Sequence, residues 1–252
     1  MRDSTEIFSD RVQNYLAYRP SYSPVILDVL RAECLFNGES VIADIGSGTG
    51  LLSELFLDNG NFVFGIEPNL EMRNACENRL KAFSRFVSLA GRAEGTTLED
   101  DSVDFVIAGQ AFHWFNLEQT KQEFMRILKP KGWVIVVYNV ARTDTPFQLA
   151  CQQFRVTYLE EKGSETEETD IYSPFFGKGN FTEKRLEGVR QKFDMTGFAG
   201  RVLSSANAPE ETTSRYAQMM DALGTIFEQY QQDGKVEISY ITELVYGRLS
   251  KS

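Results

Sequence analysis

The sequence predicts an α/β protein with a doubly wound, seven-stranded sheet that is mostly parallel, has an antiparallel C-terminal strand, and carries a helical lid and cap insertion. Two observations support this prediction. Short apolar runs alternate five times with stretches of helical spacing, which is the pattern of a parallel sheet covered by helices on both faces. Near the C-terminus, Val236, Ile238 and Tyr240 alternate with polar residues, which predicts a half-buried closing strand.

The first 140 residues contain the alternating elements in order. Ser23 and Asn116 are predicted to cap the helices that follow them, because serine and asparagine oxygens accept bonds from the first helical amides. Pro130 and Gly132 are predicted to stop the last of these helices. The predicted strands are 41–43, 62–66, 85–90, 103–109 and 133–138, and the predicted helices are 6–19, 24–36, 51–57, 69–81 and 117–128.

The regular alternation breaks after residue 140. Thr145-Pro146 predicts a helix start, and the acidic tract 160–170 predicts a solvated loop. The aromatic run 171–177 is typical of either a packed insertion or the wall of a pocket, and the sequence leaves both open. The last elements are predicted as a strand at 189–195, short and long helices at 197–205 and 210–232, and the strand from Val236.

Composition restricts the class of function. The chain has 252 residues and a net charge of −10, which disfavours a nucleic-acid partner because phosphate binding needs a basic face. Cys34, Cys76 and Cys151 lack metal-ligand spacing and are typical of reduced thiols in a cytoplasmic protein. We therefore expect no metal. No apolar run approaches the length of a membrane span and the N-terminus is charged, so we also expect no membrane span and no signal peptide.

A glycine-rich turn stands between the first strand and the next helix. The stretch from Asp44 to Gly50 reads Asp-Ile-Gly-Ser-Gly-Thr-Gly, and glycines there let a ligand approach the backbone and the helix N-terminus. Leu51 stands where the dinucleotide fingerprint requires glycine. Glu67 ends the next strand, where a carboxylate either meets ribose hydroxyls or serves as a helix N-terminal charge. A nucleoside with a small charged tail fits this turn better than a pyrophosphate.

Five blocks follow one another in the first 140 residues, namely Asp44 to Gly50, Gly65 to Asn69 with Met72, Gly91 to Glu94, Asp104 to Phe115, and Leu128 to Trp133. In this order they resemble the class I S-adenosylmethionine-dependent methyltransferases, over roughly residues 10–140. The resemblance implies a Rossmann-like fold, S-adenosyl-L-methionine as cofactor and a small-molecule methyl acceptor.

The resemblance also implies which residues hold the cofactor. Glu67 would take the ribose hydroxyls, and Arg19 would pair with the cofactor carboxylate, although a helix cap or a surface ion pair would equally explain Arg19. Many relatives have aspartate in place of Arg92, so Glu94 or a backbone carbonyl must accept from the adenine. The implied cofactor residues are Arg19, Asp44, Gly46, Ser47, Gly48, Glu67, Pro68, Asn69, Met72, Arg92, Ala93, Glu94 and Gln110.

The acceptor is expected at the carboxyl ends of the strands, next to the segment after the fourth strand. His113 is the single histidine of the sequence, and it would act as a general base, as a structural donor, or as a packing partner of Trp114. The aromatic residues there either shape the pocket or bury the next helix. The predicted acceptor-pocket residues are Tyr18, Tyr22, Phe112, His113, Trp114 and Tyr172.

We expect one domain over 1–252, with lid helices in 1–37, a cofactor-binding core in 38–140, a cap insertion in 141–187 and C-terminal strands and helices in 188–252. A methyltransferase is the function that the motifs favour. A protein that binds the cofactor without turnover is the first alternative, and a nicotinamide-dependent oxidoreductase is the second. The acceptor type (carboxylate, phenol, amine or activated carbon) and the oligomeric state stay open.

Overall fold

A computed structural model describes residues 12–160 and 170–249. Within these residues seven strands form one sheet in the order β3-β2-β1-β4-β5-β7-β6. Only β7 runs antiparallel to its neighbours β5 and β6, so the predicted mostly parallel sheet with an antiparallel C-terminal strand is confirmed. The strands are β1 Val41–Ile45, β2 Phe62–Ile66, β3 Phe86–Leu89, β4 Val103–Gly109, β5 Leu128–Ala141, β6 Phe181–Phe193 and β7 Val236–Gly247.

From β1 the sheet is extended by β2 and β3 on one side and by β4 and β5 on the other, so the order of the strands switches between β1 and β4. β1 pairs in parallel with β2 on one side and with β4 on the other. The carboxyl ends of these three strands therefore meet at one edge of the sheet, where ligands bind in open α/β folds. The segments that leave this edge begin at Gly46, Glu67 and Gln110.

Two strands are longer than the sequence predicts. β5 pairs with β7 as far as Ala141, beyond the predicted end at Tyr138. β6 begins at Phe181, whereas the prediction begins at Val189. β6 pairs only with β7 and has charged, half-exposed residues along its length, so the apolar alternation that marks a strand is absent from its first half. β6 and β7 pair in the antiparallel direction.

The helices follow the predicted order with shifted ends. Pro24, not Ser23, is the N-cap of α2, and it makes no side-chain cap bond, so the Ser23 prediction is wrong. Asn69, Asn116 and Thr145 do cap the helices after them. Within the described residues the helices are α1 Val12–Tyr18, α2 Val25–Glu33, α3 Leu51–Asp58, α4 Leu70–Leu80, α5 Leu117–Ile127, α6 Pro146–Tyr158, α7 Tyr172–Phe176, α8 Met195–Leu203 and α9 Ser214–Tyr230.

The sheet separates two apolar clusters, and a third lies among the helices that follow β5. Ile42 and Phe105 point into one cluster, while their neighbours Ala43 and Val106 point into the other, as expected for a sheet that is covered on both faces. The third cluster joins α6, α8 and α9 to β6 and β7. Among the described residues no helix is long and apolar enough to cross a membrane.

The aromatic run after the acidic tract forms α7. Phe175 and Phe176 are fully buried in the cluster beside α5, so these two rings belong to a packed insertion. Residues 161–169, which hold most of the acidic tract, and residues 1–11, which hold the start of the first predicted helix, lie outside the described part of the chain.

We predict that Gly200→Ala detaches α1 from α8. A Cβ at Gly200 would lie 2.1 Å from the ring of Tyr18, so the ring of Tyr18 must move away from α8. Such overpacking costs about 1–3 kcal/mol, which urea unfolding would measure. Gly224→Ala is the matched control, because Gly224 lies in α9 and a Cβ there would meet no atom within 4 Å. This variant should be more stable than the wild type by about 0.5–1 kcal/mol. Equal stability of Gly200→Ala and the wild type would contradict the close contact between Tyr18 and Gly200.

Candidate functional site

The glycine-rich turn leaves β1 in a conformation that side chains disfavour. Gly46, Gly48 and Gly50 have φ values of +69°, +56° and +82°. The amides of Gly46 and Ser47 donate to the carbonyl of Ile66 at 2.8 and 3.1 Å, which fastens the turn to the end of β2. A Cβ at Gly48 would meet no atom within 4 Å, so this position faces open space. The turn therefore offers bare backbone to a ligand.

Glu67 lies directly against this turn. Its Oε2 accepts from the amide of Gly48 at 2.9 Å, and its Oε1 accepts from the amide of Asn69 at 2.9 Å. Burial raises the pKa of Glu67, and the two amides act in the opposite direction. Each oxygen keeps a further lone pair, so the carboxylate has acceptor capacity left for a pair of neighbouring hydroxyls.

A cleft of about 160 Å³ opens between the turn and Glu67. It is lined by backbone and side chains from the ends of β1, β2 and β4, and Trp114 and Phe115 close one side. The predicted cofactor residues in its lining are Gly46, Gly48, Glu67, Pro68, Asn69, Met72, Arg92, Ala93, Glu94 and Gln110.

Three predicted cofactor residues do not line this cleft. Asp44 is buried beneath the turn, where Ser53 donates to its Oδ2 at 2.6 Å, so it positions the turn and α3. Burial raises the pKa of Asp44 to about 7. Ser47 faces Gly65 under the turn, and Arg19 donates to the carbonyl of Ser204 at 2.9 Å in a different cavity.

Glu94 is already engaged in holding a loop. Its Oε1 accepts from the amide of Asn116 at 2.8 Å, just before α5. Arg92 and Gly95 exchange two backbone bonds that close a tight turn at the same edge of the cleft. Both Arg92 and Glu94 therefore lie at the edge of the cleft, and Glu94 keeps one oxygen outside this loop contact.

A second, larger cavity of about 1190 Å³ adjoins the cleft. Tyr15 and Gln110 line both spaces, so the two meet at these side chains. Gln110 has a positive φ of 58°, and its side-chain amide donates to the carbonyl of Asn139 at 3.0 Å. This unfavourable backbone conformation is fixed at the junction of the two spaces, where strained residues commonly serve a function.

The predicted acceptor-pocket residues divide between several places. Tyr22 and His113 line the large cavity. Trp114 lines the cleft, and Tyr18 packs on Gly200 and Phe193. Phe112 is fully buried and stacks on Tyr172 with ring centroids 5.9 Å apart, and neither residue is in the lining of the cleft or of the large cavity. These two rings bury α7 against the sheet instead.

His113 lies at the wall of the large cavity. Its Nδ1 is 3.1 Å from the hydroxyl oxygen of Tyr138, which also accepts from the His113 amide at 3.2 Å. Although part of the residue reaches solvent, packing against Trp114 and Tyr138 desolvates the imidazole and lowers the pKa of His113. If Nδ1 donates to Tyr138, Nε2 keeps a lone pair for a proton; if Tyr138 donates, Nε2 carries the proton.

Sequence reasoning missed several residues of this site. Tyr138 ends the predicted fifth strand, and its contact with His113 gives no local signal in the sequence. Arg201 and Tyr240 come from α8 and β7 and reach the large cavity only through tertiary folding.

A model of the methyltransferase domain matches residues 43–136. An uncharacterized methyltransferase of Schizosaccharomyces pombe is 31% identical over 147 residues, which are 58% of this chain and 57% of that protein. This match over residues 43–136 agrees with the resemblance to the class I S-adenosylmethionine-dependent methyltransferases. The matched region spans little more than half the length of this and the other leading curated relatives.

Solved methyltransferase structures share the fold. A protein from Anaeromyxobacter dehalogenans described as a type II methyltransferase gives a TM-score of 0.64 at 20% identity, covering 92% of this chain and 98% of that one. An S-adenosylmethionine-dependent methyltransferase from Geobacter sulfurreducens, solved with S-adenosyl-L-homocysteine, gives 0.56 at 18% identity, covering 98% of this chain and 100% of that one. At this identity the likeness concerns the fold alone.

The methyltransferase domain takes S-adenosylmethionine as its cofactor, and the cleft fits this molecule chemically. The open face of Gly48 admits a ligand against the backbone, and Glu67 offers acceptors for a ribose diol. Among the described residues no group of three or more histidine, cysteine, aspartate or glutamate side chains is arranged to hold a metal ion.

Proposed function

We propose that this methyltransferase is an enzyme that transfers the methyl group of S-adenosylmethionine to a small-molecule acceptor. The observation that carries the proposal is the junction of the cleft with the larger cavity at Tyr15 and Gln110. A donor held in the cleft and an acceptor held in the cavity would meet there. A protein that only binds the cofactor would need no such second space.

The bound cofactor supplies a methyl group already activated by a positive sulfur. In the transfer, a bond would form between the acceptor atom and the methyl carbon while the carbon–sulfur bond on the opposite side of that carbon broke, leaving its electron pair on sulfur. The proton of a hydroxyl or amine acceptor would pass to His113 or to water. The protein's part is to position the acceptor and exclude water. Glu67, the turn at Gly48 and the wall formed by Pro68, Asn69 and Met72 hold the donor in this proposal.

Turnover decides between the enzyme and a cofactor-binding protein without activity. Pure protein with methyl-labelled S-adenosylmethionine is incubated with a panel of small acids, phenols and amines. One labelled product, formed in proportion to S-adenosylhomocysteine, supports the enzyme. Tight S-adenosylhomocysteine binding with no product from the panel favours a protein that binds the cofactor without turnover. Tight NADH binding would favour the nicotinamide-dependent oxidoreductase. Cytoplasmic location and the absence of a nucleic-acid partner stay predictions.

We predict that His113→Asn lowers turnover about 100-fold at neutral pH with a hydroxyl or amine acceptor, the usual range for loss of a general base. Because burial lowers the pKa of His113, its neutral form prevails at pH 7. The wild-type rate should therefore fall only as the pH drops through that lowered pKa. Initial rates against pH measure this, and an unchanged rate and profile in His113→Asn would leave His113 a structural donor.

A further inference from the structure

The large cavity is lined by far more positive than negative side chains. The chain as a whole has a net charge of −10, so this local excess runs against the composition. Its lining contains five arginines and one aspartate, namely Arg19, Arg142, Arg155, Arg185, Arg201 and Asp144.

Carboxylates of the protein already neutralise two of these arginines. Arg142 lies 2.6 Å from Asp144 and 3.7 Å from Glu187. Arg185 lies 2.8 Å from Glu243, and its side chain is 69% exposed. Neither guanidinium therefore brings an uncompensated charge to the cavity.

Arg201 is different because its contacts are neutral. Its Nε donates to the Tyr240 hydroxyl at 3.1 Å, and its Nη1 donates to Ser204 Oγ at 3.4 Å. Across residues 12–160 and 170–249 no carboxylate forms an ion pair with it. The side chain is half-buried, so its charge is partly removed from water without a counter-charge.

The orientation of Arg201 is fixed by a chain of hydrogen bonds. Tyr240, which is buried, donates to Gln191 Oε1 at 3.2 Å, and Gln191 Nε2 donates to the carbonyl of Tyr18 at 3.2 Å. β7, β6 and α1 thus hold the guanidinium of α8 in place. A group held in this way is prepared for a ligand, because little rotamer freedom is lost when the ligand binds.

The carboxyl end of α8 supports positive charge at this point. Ser204 is the C-cap of α8, and Arg19 donates to its carbonyl at 2.9 Å while Arg201 approaches its hydroxyl. The helix dipole places partial negative charge there, which stabilises nearby cations. Two guanidinium groups that line the cavity are thereby brought to one residue.

We propose that Arg201 binds a carboxylate of the methyl acceptor, so that the enzyme acts on small organic acids. This inference rests on the proposed function. A planar guanidinium fork matches a carboxylate in shape and in charge, whereas a phosphate dianion would leave one charge uncompensated by Arg201. The bound carboxylate is an anchor, and the methyl group is transferred to another atom of the same molecule.

Matched acids and amides test the proposal by calorimetry on protein saturated with S-adenosylhomocysteine. The probes are succinate, citrate and benzoate, with succinamide and benzamide as neutral partners and phenyl phosphate as the competing oxyanion. At least one acid should bind, its neutral partner should bind at least tenfold more weakly, and Arg201→Gln should weaken the acid about 10- to 100-fold. Arg201→Lys keeps the positive charge but lacks the planar guanidinium, so its affinity for the acid should lie between those of the wild type and Arg201→Gln.

Arg185→Gln is the matched control, since it removes the same charge from the same cavity but from an arginine already paired with Glu243. It should change acid binding less than twofold. Acids that bind no better than amides, a stronger preference for phenyl phosphate than for benzoate, or unchanged binding in Arg201→Gln would overturn the proposal. S-adenosylhomocysteine binding is measured first for the wild type and for every variant. If the wild type did not bind S-adenosylhomocysteine, the proposed function itself would be contradicted.

Discussion

Glu67→Ala is expected to weaken S-adenosylhomocysteine binding by about 100-fold or more, because it removes both carboxylate acceptors that we assign to the ribose hydroxyls. A hydrogen bond to a charged group contributes about 1.5–3 kcal/mol, and each 1.4 kcal/mol is a factor of ten in affinity. The substitution also frees the amides of Gly48 and Asn69, which Glu67 now engages at 2.9 Å. Isothermal calorimetry measures the loss.

Two further variants make this result specific. Glu67→Gln keeps the size of the side chain but directs an N–H group at one of the two backbone amides, so it should also lose binding. Glu77→Gln removes the same charge from the exposed face of α4 and should bind as the wild type does. Unfolding midpoints confirm that each variant folds. Wild-type affinity in folded Glu67→Ala would remove the ribose assignment.

The cleft was predictable because its parts are local in sequence. Gly46, Gly48 and Glu67 each follow the end of a strand within a few residues, and neighbouring parallel strands end at one edge of a sheet. The apolar runs of β1, β2 and β4 are buried on both faces and therefore stand out from their surroundings. Local signals of this kind predict both the fold and the position of the turn.

The large cavity was not predictable in the same way. Its walls come from segments far apart in the chain, and Arg201 meets Tyr240 and Tyr18 through contacts that carry no spacing rule. Phe112 follows β4 as a pocket residue would, yet its ring turns inward onto Phe175 with centroids 4.9 Å apart. A sequence shows that an aromatic residue follows a strand, but packing decides which way the ring faces.

Arg19 and Asp44 illustrate a similar limit. The resemblance implies both as cofactor residues, but Asp44 is buried beneath the turn and Arg19 donates to the carbonyl of Ser204 at the C-terminus of α8. Residue type and spacing predict where each side chain leaves the backbone. A side chain as long as arginine can reach several partners from one backbone position, and its partner depends on elements such as α8 that follow much later in the chain.

Gly48→Ala is expected to preserve the fold while weakening S-adenosylhomocysteine binding at least tenfold. The added methyl would meet no protein atom within 4 Å, so it projects into the space where we place the cofactor. The left-handed backbone costs an alanine residue about 1 kcal/mol in stability, which urea unfolding would detect. The loss of affinity, measured by calorimetry, should far exceed what that small destabilisation explains.

Gly60→Ala separates the steric effect from backbone strain. Gly60 has a φ of +91° and nothing within 4 Å of its Cβ position, but it lies in the turn after α3, outside the lining of the cleft. Both alanine variants should therefore lose similar stability, and only Gly48→Ala should lose cofactor affinity. If Gly60→Ala lost as much affinity, the effect would come from backbone strain; if neither lost any, the cofactor would not pass over Gly48, and the cleft would not be its site.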